Sequence, residues 1–234
     1  MAGFLESRRD AAKDPTIIWF EEGPNSRAPL LFIDQPVNSG FSKENQRVKG
    51  TDAAAKDIYP VLTTFFDNFP EYAKQDVYIT GSSRSGHYVP ATANEILSHN
   101  TRNINLKGAV IGNEFTDSLA LCPSYQDMAC GKGGVAAVLA KKQCQDMQSA
   151  VPSCEKKTQA CYTSNDSGIC SKASDESEAA FFNPVGEKGL NFYNLREPCV
   201  GNSTNFCSNT VEPITKWLNQ AKVTDTLGIP KGRV

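Results

Sequence analysis

Val77-Tyr78-Ile79-Thr80-Gly81-Ser82-Ser83-Arg84-Ser85-Gly86-His87-Tyr88-Val89-Pro90 passes from one kind of local structure to another within a few residues. A β-branched and aromatic run climbs to Gly81, small or polar residues follow, and a helix-compatible run begins. That pattern predicts a strand-to-helix corner of the nucleophile-elbow type, with Ser83 at its apex. Gly81 lies two residues before Ser83 and Ser85 two after, so small side chains crowd both sides of the turn. A serine at such a corner is held in a strained backbone conformation with its hydroxyl above the sheet. Serine alone is a poor nucleophile, and the rest of the chain must supply a base.

Working outward, Thr16-Ile17-Ile18-Trp19-Phe20 is a continuous apolar run, consistent with a strand buried on both faces, and Glu21-Glu22-Gly23-Pro24-Asn25 is turn chemistry that ends it. Leu30-Leu31-Phe32-Ile33 reads as a second strand closed by Asp34-Gln35-Pro36. Asp52 then caps a helix whose apolar face is Ala55, Ile58, Tyr59, Leu62, Phe65 and Phe66, ending before Pro70. After the strand Val77–Thr80 and a helix over 86–98, Leu106 to Asn113 reads as a fourth strand. Strands alternating with helices predict a largely parallel sheet covered by helices.

From about Thr116 the character changes to cysteines, Gly131-Lys132-Gly133-Gly134 and Ser/Asn/Asp clusters, with Ala136–Met147 and Val211–Ala221 as the best helix candidates. The expected organisation is therefore a partial α/β core over 1–116, a Cys-rich insertion over 117–210 that does not continue the sheet, and a helix with a C-terminal tail over 211–234.

All eight cysteines, Cys122, Cys130, Cys144, Cys154, Cys161, Cys170, Cys199 and Cys207, fall after residue 121. An even number in a loop-rich region favours disulfides and an oxidising compartment. Zinc is the rival reading, weakened by the lack of a C-x2-C pair or a histidine in the cluster, so no metal site and no cofactor is expected. Sequons at Asn165-Asp166-Ser167 and Asn202-Ser203-Thr204 support passage through the secretory route. The N-terminal residues carry no apolar stretch of signal-peptide length. No apolar run approaches the roughly 20 residues of a membrane span, and a net charge of -2 gives no electrostatic reason to expect nucleic acid.

Several blocks together resemble the serine carboxypeptidases of the vacuolar or lysosomal kind, the carboxypeptidase Y group above all. Glu6-Ser7-Arg8-Arg9 through Asp14-Pro15-Thr16-Ile17-Ile18-Trp19 resembles that family's ESRNDP and DPVILWLNGGPG stretches. Leu31 to Ser42 resembles FLDQPVNVGFS, and Phe65 to Tyr72 resembles FFDQFPEY. The Gly81–Pro90 corner resembles GESYAGHYVP, and Ile111-Gly112-Asn113 through Asp117 resembles IGNGLTDP. The resemblance implies an incomplete α/β-hydrolase sheet with a helical, disulfide-rich insertion. It also implies removal of single C-terminal residues from peptides by a Ser–Asp–His triad, in a vacuolar, lysosomal or secreted protein.

Carried over residue by residue, Ser83 is the nucleophile and the backbone N–H groups of Gly23 and Arg84 form the oxyanion hole. Family spacing suggests bridges Cys130–Cys144, Cys161–Cys170 and Cys199–Cys207. Ser177 stands where the partner of Cys154 is expected, so a new Cys122–Cys154 bridge balances the count. The substrate-carboxylate site departs from the family, with Ser82 replacing its glutamate and Glu21-Glu22 replacing the Asn-Gly of its oxyanion loop. Arg84 replaces a tyrosine.

In α/β hydrolases the acid and base follow the nucleophile from later strands. After Ser83 this sequence holds only His87 and His99, neither in a late-strand position, and the similarity stops near Thr226-Leu227-Gly228. His87 reads as a packing residue and His99 as an exposed residue of a helix's last turn. The chain is thus expected to be truncated at both ends and inert alone, since losing the triad histidine costs roughly 10⁶ in turnover. Two alternatives stand beside this: the serine-bearing half of a two-chain enzyme completed by a C-terminal chain, and a non-catalytic pseudoenzyme that binds peptide or protein. The sheet edge at Leu106–Ile111 is expected to be uncovered.

Overall fold

The computed structural model describes residues 2–20, 28–42, 48–200 and 207–229. The chain divides into two compact units between Thr116 and Asp117.

In the first unit the strands β1 (Ala2–Leu5), β2 (Thr16–Phe20) and β3 (Leu30–Ile33) precede the helix α1 (Thr51–Asn68). The strand β4 (Val77–Ser83), the helix α2 (Ser85–Ser98) and the strand β5 (Leu106–Glu114) follow. They form one five-stranded sheet in the order β1-β3-β2-β4-β5. The three pairs among β2 to β5 are parallel, and only β1 runs antiparallel, against β3. Such an alternation of strand and helix gives parallel neighbours because each crossover returns the chain to the same end of the sheet. β1 was not expected from the sequence: four residues, one of them glycine, are too few to show alternation.

Two expectations need correcting. β2 is not buried on both faces: Thr16, Ile18 and Phe20 are buried while Ile17 and Trp19 on the other face are half-buried. Period-2 geometry sends alternate residues to opposite faces, and among the described residues only one face meets a full apolar layer. Asp52 is not the cap of α1; Gly50 is, with φ 103, and Asp52 sits in the first turn, where its charge complements the helix dipole. The apolar face of α1 is as the spacing predicts, with Ala54, Ala55, Ile58, Leu62 and Phe66 buried at helical intervals. Of these, Ile58, Leu62 and Phe66 meet Ile18, Phe20, Leu31, Val77, Ile79, Val89 and Ile96 in one core.

A polar hub ties the N-terminal segment to this core. The buried Asp14 carboxylate accepts from the Ser7 hydroxyl, from Arg9 Nε at 2.9 Å and from the Asp10 N–H at 3.0 Å. The Arg9 guanidinium, then the Ser7 hydroxyl, hold its pKa down at about 2. Nearby, the Tyr72 hydroxyl donates to Glu6 at 2.7 Å, and that bond pushes the phenol up to about 12. The Glu6-Ser7-Arg8-Arg9 block therefore serves folding in this unit.

The second unit is helical. It comprises α3 (Ser118–Ala129), α4 (Lys141–Ser164), α5 (Ser167–Ser177), a π-helical turn at Glu178–Phe182 and α6 (Asn183–Gly186). A small antiparallel ribbon of β6 (Leu190–Asn191) and β7 (Asn194–Pro198) and the helices α7 (Val211–Leu218) and α8 (Ala221–Thr226) complete it. The ribbon does not join the larger sheet. The expected helix over Ala136–Met147 starts later, at Lys141, because residues 136–140 are used otherwise. The Val138 N–H bonds the Ala129 carbonyl at 2.9 Å, Leu139 is buried, and the Gln143 side chain receives the Ala140 N–H at 3.1 Å, setting the helix start. The expected helix over Val211–Ala221 breaks at Gln220, which is extended and begins α8.

All eight cysteines are bridged, as Cys122–Cys154, Cys130–Cys144, Cys161–Cys170 and Cys199–Cys207. The first two clamp α3 and the loop after it to α4, and the third closes the α4–α5 corner. Ser177 Oγ lies 3.7 Å from Cys154 Sγ, so a hydroxyl occupies the α5 side of Cys154 while Cys122 of α3 takes the bridge. Cys122, Met147, Val151, Cys154, Phe181 and Val185 form the core of this unit.

Candidate active site

In a sheet of parallel strands the C-terminal ends gather on one edge, and there the chain can present functional groups outside the core. β4 ends on that edge at Ser83, flanked by β2, which ends at Phe20 opposite Gly81, and by β5, whose Glu114 pairs with Ser83. Ser83 has φ 51, a left-handed conformation that a non-glycine residue adopts at a cost, and Arg84 returns to φ -61 as the N-cap of α2. The corner expected from sequence is thus present, with Ser83 at its apex.

The small residues around it have specific causes. A Cβ at Gly81 would stand 2.4 Å from Ser85 Cβ and 3.1 Å from the Phe20 carbonyl oxygen. A Cβ at Gly86 would stand 2.5 Å from Thr116 Oγ1 and 2.9 Å from Glu114 Cβ. Strand and helix therefore approach as closely as backbone allows, as the turn needs. Ser85 is fully buried and its hydroxyl donates to the Phe20 carbonyl at 3.2 Å, joining the end of β2 to the first turn of α2. The Phe115 N–H donates to the Ser83 carbonyl at 2.8 Å, fixing the corner from the β5 side. Between Ser82 and Ser83 the β4–β5 register shifts, with Asn113 at φ 48 as the extra residue.

Ser82, Ser83 and Arg84 are brought together on the corner, Ser82 and Ser83 half-buried and Arg84 exposed. Glu21, Glu22 and Gly23 lie outside the described residues, as does Asn202. Asn165 is exposed at the C-cap of α4. His87 is exposed in the first turn of α2. His99 caps the other end of that helix, where its Nε2 lies 3.0 Å from Glu95 Oε1 and its ring stacks on Tyr59 at 3.9 Å. Neither of the chain's two histidines bonds the Ser83 hydroxyl among the described residues. Among those residues no cluster of three or more His, Cys, Asp or Glu side chains can hold a metal ion.

Two residues at this corner escaped sequence reasoning. Glu114 puts a carboxylate in register with Ser83, at the position of the second glycine of the IGNG block that Ile111-Gly112-Asn113-Glu114 resembles. A glycine-to-glutamate change in an otherwise matching block was the available signal. Ser85 was read only as a small residue, and its hydrogen bond is not visible without the position of Phe20. What the corner can do chemically is offer a strained serine hydroxyl at the positive end of a 14-residue helix, where developing negative charge is favoured.

The residues 25–234 match a family described as serine carboxypeptidase. A carboxypeptidase Y homolog A of Uncinocarpus reesii is 42% identical over 255 residues, covering 96% of this chain and 47% of that protein. One from Ajellomyces capsulatus is 40% identical, covering 96% and 46%, and one from Chaetomium globosum is 41% identical, covering 97% and 46%. The chain thus spans less than half the length of these relatives. In solved structures, a prohormone-processing carboxypeptidase from Saccharomyces cerevisiae superposes with a TM-score of 0.68 at 20% identity, over 99% of this chain and 64% of that one.

Proposed function

Because the chain belongs to the serine carboxypeptidase family, we propose that it carries that family's nucleophile, Ser83, on a scaffold that does not turn over by itself. The observation behind this is a strained serine at the apex of the corner, φ 51, without an imidazole bonded to its hydroxyl among the described residues. In the reaction this scaffold is built for, Ser83 Oγ attacks the scissile carbonyl of a peptide's last bond. The N–H of Arg84 and that of Gly23 receive the oxyanion, and a base must take the hydroxyl proton. His87 and His99 do not fill that role, so the acyl step stalls at its first proton transfer. Ser82, Glu21 and Glu22 take the sequence positions that in the family belong to the site for the substrate's C-terminal carboxylate, and we infer that the two glutamates repel it unless protonated. Recognition of the peptide terminus is weakened as well.

A two-chain reading is favoured by one feature. β5 is an edge strand with no partner on its outer side among the described residues, and Val110 on it is 57% exposed. A C-terminal chain bearing further strands, an aspartate and a histidine would cover that edge and complete the triad. The four disulfides support residence in an oxidising compartment, which we take to be the secretory route or a vacuolar or lysosomal lumen. No helix among the described residues is long and apolar enough to cross a membrane.

A fluorophosphonate probe tests both readings. The folded chain alone is expected to remain unlabelled at Ser83, and labelling of Ser83 in isolation would refute inertness. Labelling that appears on co-expression with a C-terminal carboxypeptidase fragment supports the two-chain reading. Absence of labelling in both arms, with the fragment bound, removes Ser83 as the nucleophile.

A further inference from the structure

β5 has a property that does not depend on Ser83. Its register against β4 shifts at Lys107 and again at Asn113, so Gly108-Ala109-Val110-Ile111-Gly112 is a regular stretch between two bulges. The direction of its peptide groups follows from two hydrogen bonds. The Val77 N–H donates to the Asn105 carbonyl at 3.0 Å, and the Phe115 N–H donates to the Ser83 carbonyl at 2.8 Å. In a parallel ladder every second residue of a strand bonds its neighbour, through the residues before and after the one it faces. Ile79 and Gly81, which face Ala109 and Ile111, therefore bond the peptide groups of Gly108, Val110 and Gly112. The N–H and C=O groups of Ala109 and Ile111 point away from β4, on a side where the sheet has no further strand among the described residues. Ala109 is exposed and Val110 is 57% exposed, so the stretch is open to an incoming chain.

We propose that this edge pairs with the same edge of a second copy of the chain, antiparallel, about a two-fold axis through Val110. Such an axis stands perpendicular to the sheet and keeps each face on its own side, so outward-bonding residues meet outward-bonding residues. Of the registers this allows, the one centred on Val110 alone keeps both bulges outside the paired stretch. A shift toward either end sets Ala109 against Asn113 or Ile111 against Lys107. In the centred register Ala109 exchanges hydrogen bonds with Ile111 of the second copy, Gly108 faces Gly112, and Val110 faces Val110 at the close, non-bonded spacing. The charges fit the same arrangement. Lys107 of one copy comes beside Asn113 and Glu114 of the other, and the two-fold repeats that pairing. Glu114 is exposed without an ion-pair partner among the described residues, and Lys107 holds only the exposed Asp76, at 3.8 Å. A cation at one end, an anion at the other and small or apolar residues between make the strand its own complement. This is the edge that the two-chain reading gives to a C-terminal chain. The two occupants exclude each other, and self-pairing describes the chain by itself.

Sedimentation equilibrium of the folded, bridged chain from about 1 to 100 μM tests the pairing and is expected to show monomer and dimer in exchange. Val110→Lys sets two ammonium groups face to face across the axis and is expected to weaken the dimer about tenfold or more. Lys107→Glu and Glu114→Lys are each expected to weaken it. Mixing those two variants, or combining both changes in one chain, is expected to restore it, because each cation then meets an anion again. Val110→Cys is expected to give, on mild oxidation, a dimer linked through the same peptide of both copies. Circular dichroism and the Trp19 unfolding transition check that each variant is folded. A chain that stays monomeric at about 100 μM overturns the proposal. So does a dimer that survives Val110→Lys unchanged or is indifferent to both charge reversals. A monomeric chain that binds a C-terminal carboxypeptidase fragment assigns the edge to that other occupant and overturns self-pairing as well. Labelling of Ser83 is a separate readout, so none of these results decides the nucleophile.

Discussion

Replacing Gly81 by alanine tests whether the corner depends on close packing between β4 and α2. The new Cβ would stand 2.4 Å from Ser85 Cβ, 2.8 Å from Ser85 Oγ and 3.1 Å from the Phe20 carbonyl oxygen. Neither neighbour can yield freely, because Ser85 and Phe20 are both fully buried and are hydrogen-bonded to each other. Overpacking of this kind costs about 1–3 kcal/mol. Displacing Ser85 also forfeits a buried hydrogen bond, about 1 kcal/mol more. Gly81→Ala is therefore expected to destabilise the unit of residues 1–116 by about 2–4 kcal/mol.

Gly112 on β5 supplies the control. No atom lies within 4 Å of a Cβ built there, and its φ is not positive, so alanine should be neutral or stabilising. The strand gain is about 0.5–1 kcal/mol. Trp19 reports on the first unit and Trp217 on the second, so urea unfolding followed by fluorescence in a Trp217→Phe background isolates the relevant transition. With a urea dependence of about 1–3 kcal/mol per molar, the Gly81→Ala midpoint should fall by roughly 1–2 M while that of Gly112→Ala stays in place or rises. Adding Ser85→Gly to Gly81→Ala should recover part of the loss, since only the Phe20 carbonyl contact then remains. An unchanged Gly81→Ala midpoint, or an equal fall for Gly112→Ala, would refute the packing argument.

Three further predictions concern the bridges and the response to pH. Loop-closure entropy ranks the bridges by the length they enclose, 32 residues for Cys122–Cys154 against 8 for Cys199–Cys207. Replacing both cysteines of the first should cost about 3.5–4 kcal/mol and of the second about 2.5 kcal/mol, read from thermal midpoints, and the reverse order would contradict it. Asp14 has a folded pKa of about 2, below its ordinary value of 3.8. Its stabilisation is complete above the ordinary value and is lost as pH falls from about 4 through 2. Asp14→Asn should be less stable than the parent near neutrality, with the gap closing in acid; a gap unchanged at about pH 2 would be fatal to the idea. Tyr72 behaves in the opposite sense. Its folded value of about 12 lies above the ordinary 10.0. Its contribution is full below about pH 10 and fades as pH rises through 12, which urea midpoints of Tyr72→Phe against the parent will show.

The α/β class and the corner were legible because they depend on near neighbours in the chain. Runs such as Thr16–Phe20, Leu30–Ile33 and Val77–Thr80 carry their strand character locally, and α1 shows its buried face through spacing alone. Where an element's limits are set by distant atoms, local pattern misplaces them. Residues 136–140 are pulled out of α4 by Ala129 and by burial of Leu139. α3, with Pro123 inside it and a weakly patterned face, gave little local signal, and α4 runs on through Pro152 to Ser164 because its packing against α3 and α5 outweighs propensity.

Ser83 shows both kinds of information at once. Its place at a strand-to-helix corner and its family follow from the order of residues, since each is a relation between positions close in sequence. The partners of that corner are a matter of three-dimensional approach. Phe20 and Ser85 meet across 65 residues, and Glu114 comes into register with Ser83 across the β4–β5 pair. Contacts of that span are chosen by how the sheet and helices pack, because the chain between them carries no local mark of where it will close.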